Sequence, residues 1–272
     1  ATDDCGNTAT CTATIYVDDS TVPMITCPAN LVLECGNANN TTLVNNWLAS
    51  ATATDGCDVS VTITNNYNGV LPALSCDLST GKVVTFTATD DCGNTATCTA
   101  TIYVDDSTVP MITCPSNLVL ECGNANNTTL VNNWLASATA TDGCDASVTI
   151  TNNYDNMLPA LSCDQSAGKV VTFTATDDCG NTATCTATIY VDDSTVPMIT
   201  CPANLVLECG NANNTTLVNN WLASATATDG CDVSVTITNN YNGVLPALSC
   251  DLSTGKVVTF TATDDCGNTA TC

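Results

Sequence analysis

The eleven residues ATDDCGNTATC occur four times, beginning at Ala1, Ala88, Ala175 and Ala262, so the chain repeats every 87 residues. The first and third periods are identical. The second differs at Ser116, Ala146, Asp155, Asn156, Met157, Gln165 and Ala167, where the first has Ala29, Val59, Asn68, Gly69, Val70, Leu78 and Thr80. Near-identity at a fixed period specifies a linear array of one unit rather than three specialised domains.

Within one period the hydrophobic pattern is mostly that of strands. Val59 to Thr64, Lys82 to Thr89 and Thr97 to Val104 alternate apolar and polar residues, which places Val84, Phe86 and Ala88 on one face and threonines on the other. Met24 to Leu33 is a further extended stretch, interrupted at Cys27-Pro28 as an edge strand tolerates. Only Asn40 to Ala51 departs from this rule. There Leu43, Val44, Trp47, Leu48 and Ala51 follow helical spacing, with Asn40 or Thr41 as the N-cap, and the segment is predicted as a short helix that packs Trp47 on a sheet edge.

Charge and cysteine content narrow the setting. The chain carries 27 acidic residues against three basic ones, with no histidine, for a net charge of −24. Nucleic acid and anionic membranes are repelled by such a surface. No apolar run approaches the ~20 residues that span a bilayer, so no membrane insertion is expected. Twenty cysteines, six per period, fit a disulfide framework in an oxidising, extracellular setting. A core with one Trp and one Phe per period gains from such staples. With no signal peptide in the sequence, a mature or cut segment is expected.

Asp18-Asp19-Ser20-Thr21-Val22-Pro23 lies between two strands and reads as a link. Modules are therefore expected at 19–105, 106–192 and 193–272, the last with a truncated final strand, while 1–18 is the closing strand of a preceding module. About seven short strands per module indicate an all-β fold, a tandem array of immunoglobulin-like β-sandwiches, each with a short helix and three disulfides.

The stretch VTFTATDDCGNTATCTATIYVDDSTVPMITCP resembles the hyalin-repeat (HYR) family and its HYR-like bacterial relatives, most specifically over Phe86 to Pro115. The resemblance implies an immunoglobulin-like fold, extracellular adhesion, and tandem arrays in large secreted or cell-surface proteins. Six cysteines per module exceed the metazoan form of the repeat.

Six cysteines allow fifteen connectivities. In a sandwich frame, Cys57 and Cys92 fall in turns at one end, Cys35 and Cys76 at the other, and Cys27 and Cys98 on adjacent first and last strands. The expected set is Cys27–Cys98, Cys35–Cys76 and Cys57–Cys92. One period on it is Cys114–Cys185, Cys122–Cys163 and Cys144–Cys179, then Cys201–Cys272, Cys209–Cys250 and Cys231–Cys266. Cys5 and Cys11 lack their usual partners. Zinc is disfavoured, since there is neither CxxC nor His.

Asp18, Asp19, Asp55, Asp58, Asp90 and Asp91 are candidates to converge at one module end as hard oxygen ligands for calcium, stiffening the joint. Acidic residues are also ordinary turn formers, and no contiguous calcium-loop motif is present. Asn39 and Asn40 fit the N-glycosylation sequon. Ser20, Ser107 and Ser194, each in an Asp-Ser-Thr link, resemble an acidic O-glycosylation site of secreted proteins. An ice-binding threonine face and an isopeptide at Lys82 are weaker readings than a wet strand face and an exposed lysine.

Catalysis is not expected: His, the usual general base, is missing, and the Asp pairs sit in small turns repeated along the chain. The reading that remains is a structural segment of a long extracellular fibre, filament or stalk, with other copies of the same chain as partners. The alternative is the repetitive stalk of an adhesin whose tip lies elsewhere.

Overall fold

A computed structural model describes residues 1–250 and 252–272. The first repeat contains β1 (Met24–Thr26), β2 (Leu31–Glu34), α1 (Asn40–Leu48), β3 (Thr52–Thr54), β4 (Thr62–Asn65), β5 (Lys82–Thr89) and β6 (Thr95–Asp105). Four strands form one sheet in the order β2-β6-β5-β4, and β1 pairs with β3 in a second. β5 and β6 run antiparallel from Lys82↔Ile102 to Thr89↔Thr95, whereas β2 joins β6 in parallel, with Leu31 opposite Ile102. This is an immunoglobulin-like sandwich.

The alternation explains why these segments pair. Val84, Phe86 and Ala88 on β5, Ile102 on β6 and Leu33 on β2 are all fully buried, while the intervening threonines face outward. Ile25 of β1 and Ile63 of β4 close over this cluster. Val59 is fully exposed and lies before β4, so the expected strand begins three residues late, at Thr62.

α1 spans nine residues and seats Val44 and Trp47 on the core. Its N-cap is Asn39, not Asn40 or Thr41. Asn40 is drawn into the first turn because its side-chain amide donates to the Glu34 carbonyl at 2.8 Å. Trp47 meets Phe86 edge to face at 5.4 Å and donates its indole N–H to the Ala29 carbonyl at 2.7 Å. Trp134 and Trp221 repeat both contacts. Substituting all three (W47F/W134F/W221F) removes the donor and strands a carbonyl, a loss of about 1–3 kcal/mol per site. Urea denaturation followed by circular dichroism should show a lower midpoint, and an unchanged midpoint would refute the role given to this bond.

The six strands and the helix recur in the second repeat, from Met111–Thr113 to Thr182–Asp192. In the third, the last strand is Thr269–Thr271, and residues 205–208, which would pair beside its continuation, form no strand. Accordingly Val257 is 85% exposed, against 58% for Val83 and Val170. Residues 1–18 hold one bridge, Thr2↔Thr8. Ile15 and Val17 there are 91% and 97% exposed, whereas their counterparts Ile102 and Val104 are 0% and 6%.

The compact units fall differently from the sequence periods. One comprises Ala1–Val109, Asp142–Ser147 and Asp177–Asn181; the other comprises Pro110–Thr141, Val148–Thr176 and Thr182–Cys272. Two turns of the second repeat thus belong with the body of the first.

The cysteines account for this grouping. Cys27–Cys98, Cys114–Cys185 and Cys201–Cys272 are bonded within their repeats, each with Cα atoms 5.8 Å apart. The other expected pairs are not formed. Cys35 joins Cys144 rather than Cys76, and Cys76 joins Cys179, with Cα separations of 5.7 and 5.2 Å. Cys163 joins Cys266 in the same way, not Cys122. Cys122 and Cys231 stand as Cys35 and Cys144 do: a Cβ on Gly123 would lie 3.8 Å from the Cys231 sulfur, as one on Gly36 would from Cys144. Cys57–Cys92, Cys144–Cys179, Cys209–Cys250 and Cys231–Cys266 are likewise absent as pairs. The physical reason is that Cys35 and Cys76 lie where the turns of Cys144 and Cys179, the next repeat's counterparts of Cys57 and Cys92, come within bonding distance, so the bonds form between repeats rather than within one.

Lys82 is half-buried rather than exposed. Its ammonium donates to the Asn68 side chain and to the Val70 carbonyl at 2.9 Å, and lies 5.3 Å from the Tyr67 ring centre. The substitution N68D of the second repeat turns this contact into an ion pair, Lys169–Asp155.

Candidate functional site

At one end of each repeat, two tight turns and the link come together. Asp90 builds the first turn. Its Oδ1 accepts the backbone N–H groups of Cys92 and Asn94 at 3.0 and 2.7 Å, with Gly93 supplying the left-handed residue at φ 91°. The second turn forms where Asp55 accepts the Cys57 N–H at 2.8 Å. Asp58 then ties the two turns together by accepting the Asp91 N–H at 2.8 Å. Asn94 secures the link by donating to the Asp19 carbonyl at 3.0 Å.

These bonds gather carboxylates. One oxygen each from Asp19, Asp58 and Asp90 lie within 4.8 Å of one another, as do ligand atoms of Asp19, Asp55 and Cys57. The second repeat gathers Asp106, Asp145 and Asp177, and also Asp106, Asp142 and Cys144; the third gathers Asp193, Asp229 and Cys231. Of the six aspartates expected in the first repeat, four converge. Asp18 and Asp91 do not: both are exposed, and only the backbone N–H of Asp91 takes part.

The site is buried more deeply than a surface turn. Asp106 and Asp177 are 3% and 6% exposed, and one carboxylate oxygen of each has no hydrogen-bond partner. The same holds for Asp193 and Asp264. Burial pushes the Asp106 carboxyl above its ordinary range, and the charges of Asp142 and Asp177 add to the rise. Asp193 is raised in the same way, with Asp229 and Asp264 as neighbours. An orphaned buried oxygen is costly unless something meets it. Several carboxylates from short turns form a hard, oxygen-rich donor set, the type calcium takes. In the second repeat the nearby sulfur of Cys144 is committed to its disulfide.

Sequence reading missed a second device in the link. The carboxylate of Glu34 accepts the Ser107 N–H at 3.0 Å, the Ser107 hydroxyl at 2.8 Å and the Thr108 hydroxyl at 2.6 Å. These bonds, the Thr108 hydroxyl first, hold its carboxyl below the usual range. Glu121 grips Ser194 and Thr195 in the same manner. The available signal was that the period contains one glutamate among many aspartates. Of the expected glycosylation positions, Ser20 and Asn39 are exposed. Ser107 and Ser194 are exposed but engaged by the glutamates, and the Asn40 amide is buried and bonded to the Glu34 carbonyl.

No family model matches the chain. Hyalin of Lytechinus variegatus is 30% identical over 284 residues, covering 99% of this chain and 49% of that protein. Hyalin of Strongylocentrotus purpuratus is 32% identical over 291 residues, covering 98% of this chain and 22% of that protein. The similarity is of hyalin-repeat type and runs nearly end to end. The chain spans less than half the length of these relatives, and neither is bacterial. Among solved structures, the protocadherin gammaB7 EC3-6 cis-dimer structure matches with TM-score 0.30 and 15% identity, covering 93% of this chain and 76% of that one. The titin I-band fragment I67-I69 matches with TM-score 0.31 and 12% identity, over 93% and 97% of the two chains.

Proposed function

We propose that the chain is a structural segment of an extracellular fibre, filament or stalk, made of 87-residue modules that are bonded in series and not merely strung on a backbone. The observation that carries this reading is the period-spanning pair Cys35–Cys144 and Cys76–Cys179, repeated in part at Cys163–Cys266. Covalent bonds across the joints, two at the first and one at the second, resist both bending and unfolding, a property useful to a load-bearing element and of no use to a catalyst. The acidic surface keeps such arrays soluble and apart. Similarity to hyalin supports an extracellular structural or adhesive setting.

In the same reading calcium occupies the carboxylate cluster. Asp106, Asp142, Asp145 and Asp177 would hold it in the second repeat, and Asp19, Asp55, Asp58 and Asp90 in the first. The bound ion would supply the positive charge that the orphaned oxygens lack, pinning link and turns together.

Immunogold labelling of native extracellular material with an antibody to the repeat tests the proposal. Label distributed along fibres is the expected outcome. Thin labelled strands that end in an unlabelled head would favour the adhesin-stalk alternative, and label confined to compact particles would overturn both.

A further inference from the structure

Asn68-Gly69 and Asn242-Gly243 are the two Asn-Gly dipeptides of the chain, and the second repeat has Asp155-Asn156 in their place. Asn68 lies in the loop between β4 and β5, and Asn242 in the corresponding loop of the third repeat. All four residues are exposed, and a Cβ on either glycine would meet nothing within 4 Å. The asparagine side chains are nonetheless held. Asn68 Oδ1 accepts from the Lys82 ammonium and from the Val70 N–H, the latter at 3.2 Å. Asn242 Oδ1 accepts from Lys256 and from the Val244 N–H, again at 3.2 Å. Each lysine is fixed by a carbonyl, Val70 at 2.9 Å or Val244 at 3.0 Å, and by a tyrosine ring centred 5.3 or 5.2 Å away. We infer that Asn68 and Asn242 are self-modifying sites, where the lysine promotes deamidation and directs it to aspartate.

Two donors on one amide oxygen form a small oxyanion hole. The Gly69 backbone nitrogen, after losing its proton to water, attacks Asn68 Cγ, and the electron pair of the carbonyl moves onto Oδ1, where Lys82 and the Val70 N–H meet it. Collapse of this intermediate breaks the Cγ–Nδ2 bond and expels ammonia, leaving a cyclic imide. Water then opens the ring at one of two carbonyls. Opening at Cγ restores the normal backbone with aspartate, whereas opening at the main-chain carbonyl gives isoaspartate. Lys82 sits on the oxygen of Cγ and so polarises the first of these. The net change is one amide and one water to one carboxylate and one ammonium.

The second repeat carries that product in its sequence. Asp155 pairs with Lys169 and accepts the Met157 N–H at 3.0 Å, while Lys169 keeps the Met157 carbonyl at 3.0 Å and the Tyr154 ring centre at 5.5 Å. The loop therefore accepts a carboxylate without rearrangement. Conversion gives the first and third repeats the ion pair that the second encodes.

The test incubates the folded chain, disulfides intact, at neutral pH and follows it by peptide mass spectrometry, with an isoaspartyl methyltransferase assay to separate the two products. The expected result is conversion of Asn68 and Asn242 ahead of every other asparagine, with aspartate exceeding isoaspartate. The same chain reduced and unfolded in urea, where the lysine contact is lost, should give mostly isoaspartate, as a free Asn-Gly peptide does. In K82M, Asn68 should convert about tenfold more slowly, less than the roughly hundredfold effect of such a donor in a buried site. Asn242 of the same molecule keeps the parent rate and serves as reference. K82R, which retains a cation, should restore the aspartate excess. An unconverted Asn68, an isoaspartate excess in the folded parent, or an Asn68 in K82M that converts as fast as Asn242 would overturn the inference. So would loss of ammonia with Asn68 and Lys82 joined in one cross-linked peptide, which would make the lysine the nucleophile.

Discussion

Replacing Cys27 and Cys98 together with serine will cost the first repeat about 4 kcal/mol, the chain-entropy value for a closed loop of this size. The bond spans 71 residues, from the end of β1 to the middle of β6. It therefore closes nearly the whole repeat around a core whose large members are Phe86, Trp47, Leu33 and Ile102. A core this small leaves little surplus stability. Denaturant titration of C27S/C98S should show the first repeat unfolding well before the others, splitting one transition into two. Equal loss from C35S/C144S would not contradict this, because that bond closes a comparably long loop of 109 residues. A midpoint unmoved by C27S/C98S would show that the sandwich stands without its internal staple.

Calcium at a hundred times its dissociation constant will stabilise a repeat by about 2.7 kcal/mol. For a unit of this size that is a rise in melting temperature on the order of 10 °C. Asp106 and Asp177 are buried, each with one carboxylate oxygen lacking a hydrogen-bond partner, beside Asp142 and Asp145. Without an ion, these charges repel one another in a poorly solvated place, so D106N should raise the melting temperature of the calcium-free chain. The same substitution should abolish the calcium response of that joint, because the central ligand is lost. Magnesium, which demands a tighter octahedral shell, should be less effective. Scanning calorimetry in calcium and in chelator provides both readings, and identical curves for the parent chain would remove calcium from the account.

Most of the sandwich could be read from Lys82 to Val104, where the alternation is strict and one face is wholly apolar. Cys27–Cys98 was legible as a pair although its expected geometry was not: β1 pairs with β3 rather than lying beside β6, so the bond staples the two sheets to each other. The remaining bonds were not. In an exact repeat, Cys57 and Cys144 have the same neighbours, so the letters cannot distinguish a partner within the repeat from its copy in the next. Only the path of the chain in space makes that choice. A similar degeneracy affected the acidic doublets. Asp18-Asp19 and Asp90-Asp91 each turn one side chain inward, Asp19 half-buried and Asp90 buried, and leave the other exposed, because successive residues of an extended or turning backbone point apart. The Glu34 grip was hidden by distance, lying 73 and 74 residues from the link residues it holds.

The bonded spans 27–98, 35–144, 76–179, 114–185, 163–266 and 201–272 overlap without a gap. Any single peptide bond between Cys27 and Cys272 therefore lies inside at least one closed loop. A protease that nicks the chain once in that range severs the backbone but frees no fragment. The links, ordinarily the first place an extended protein is cut in two, become points where damage is tolerated until a reductant arrives.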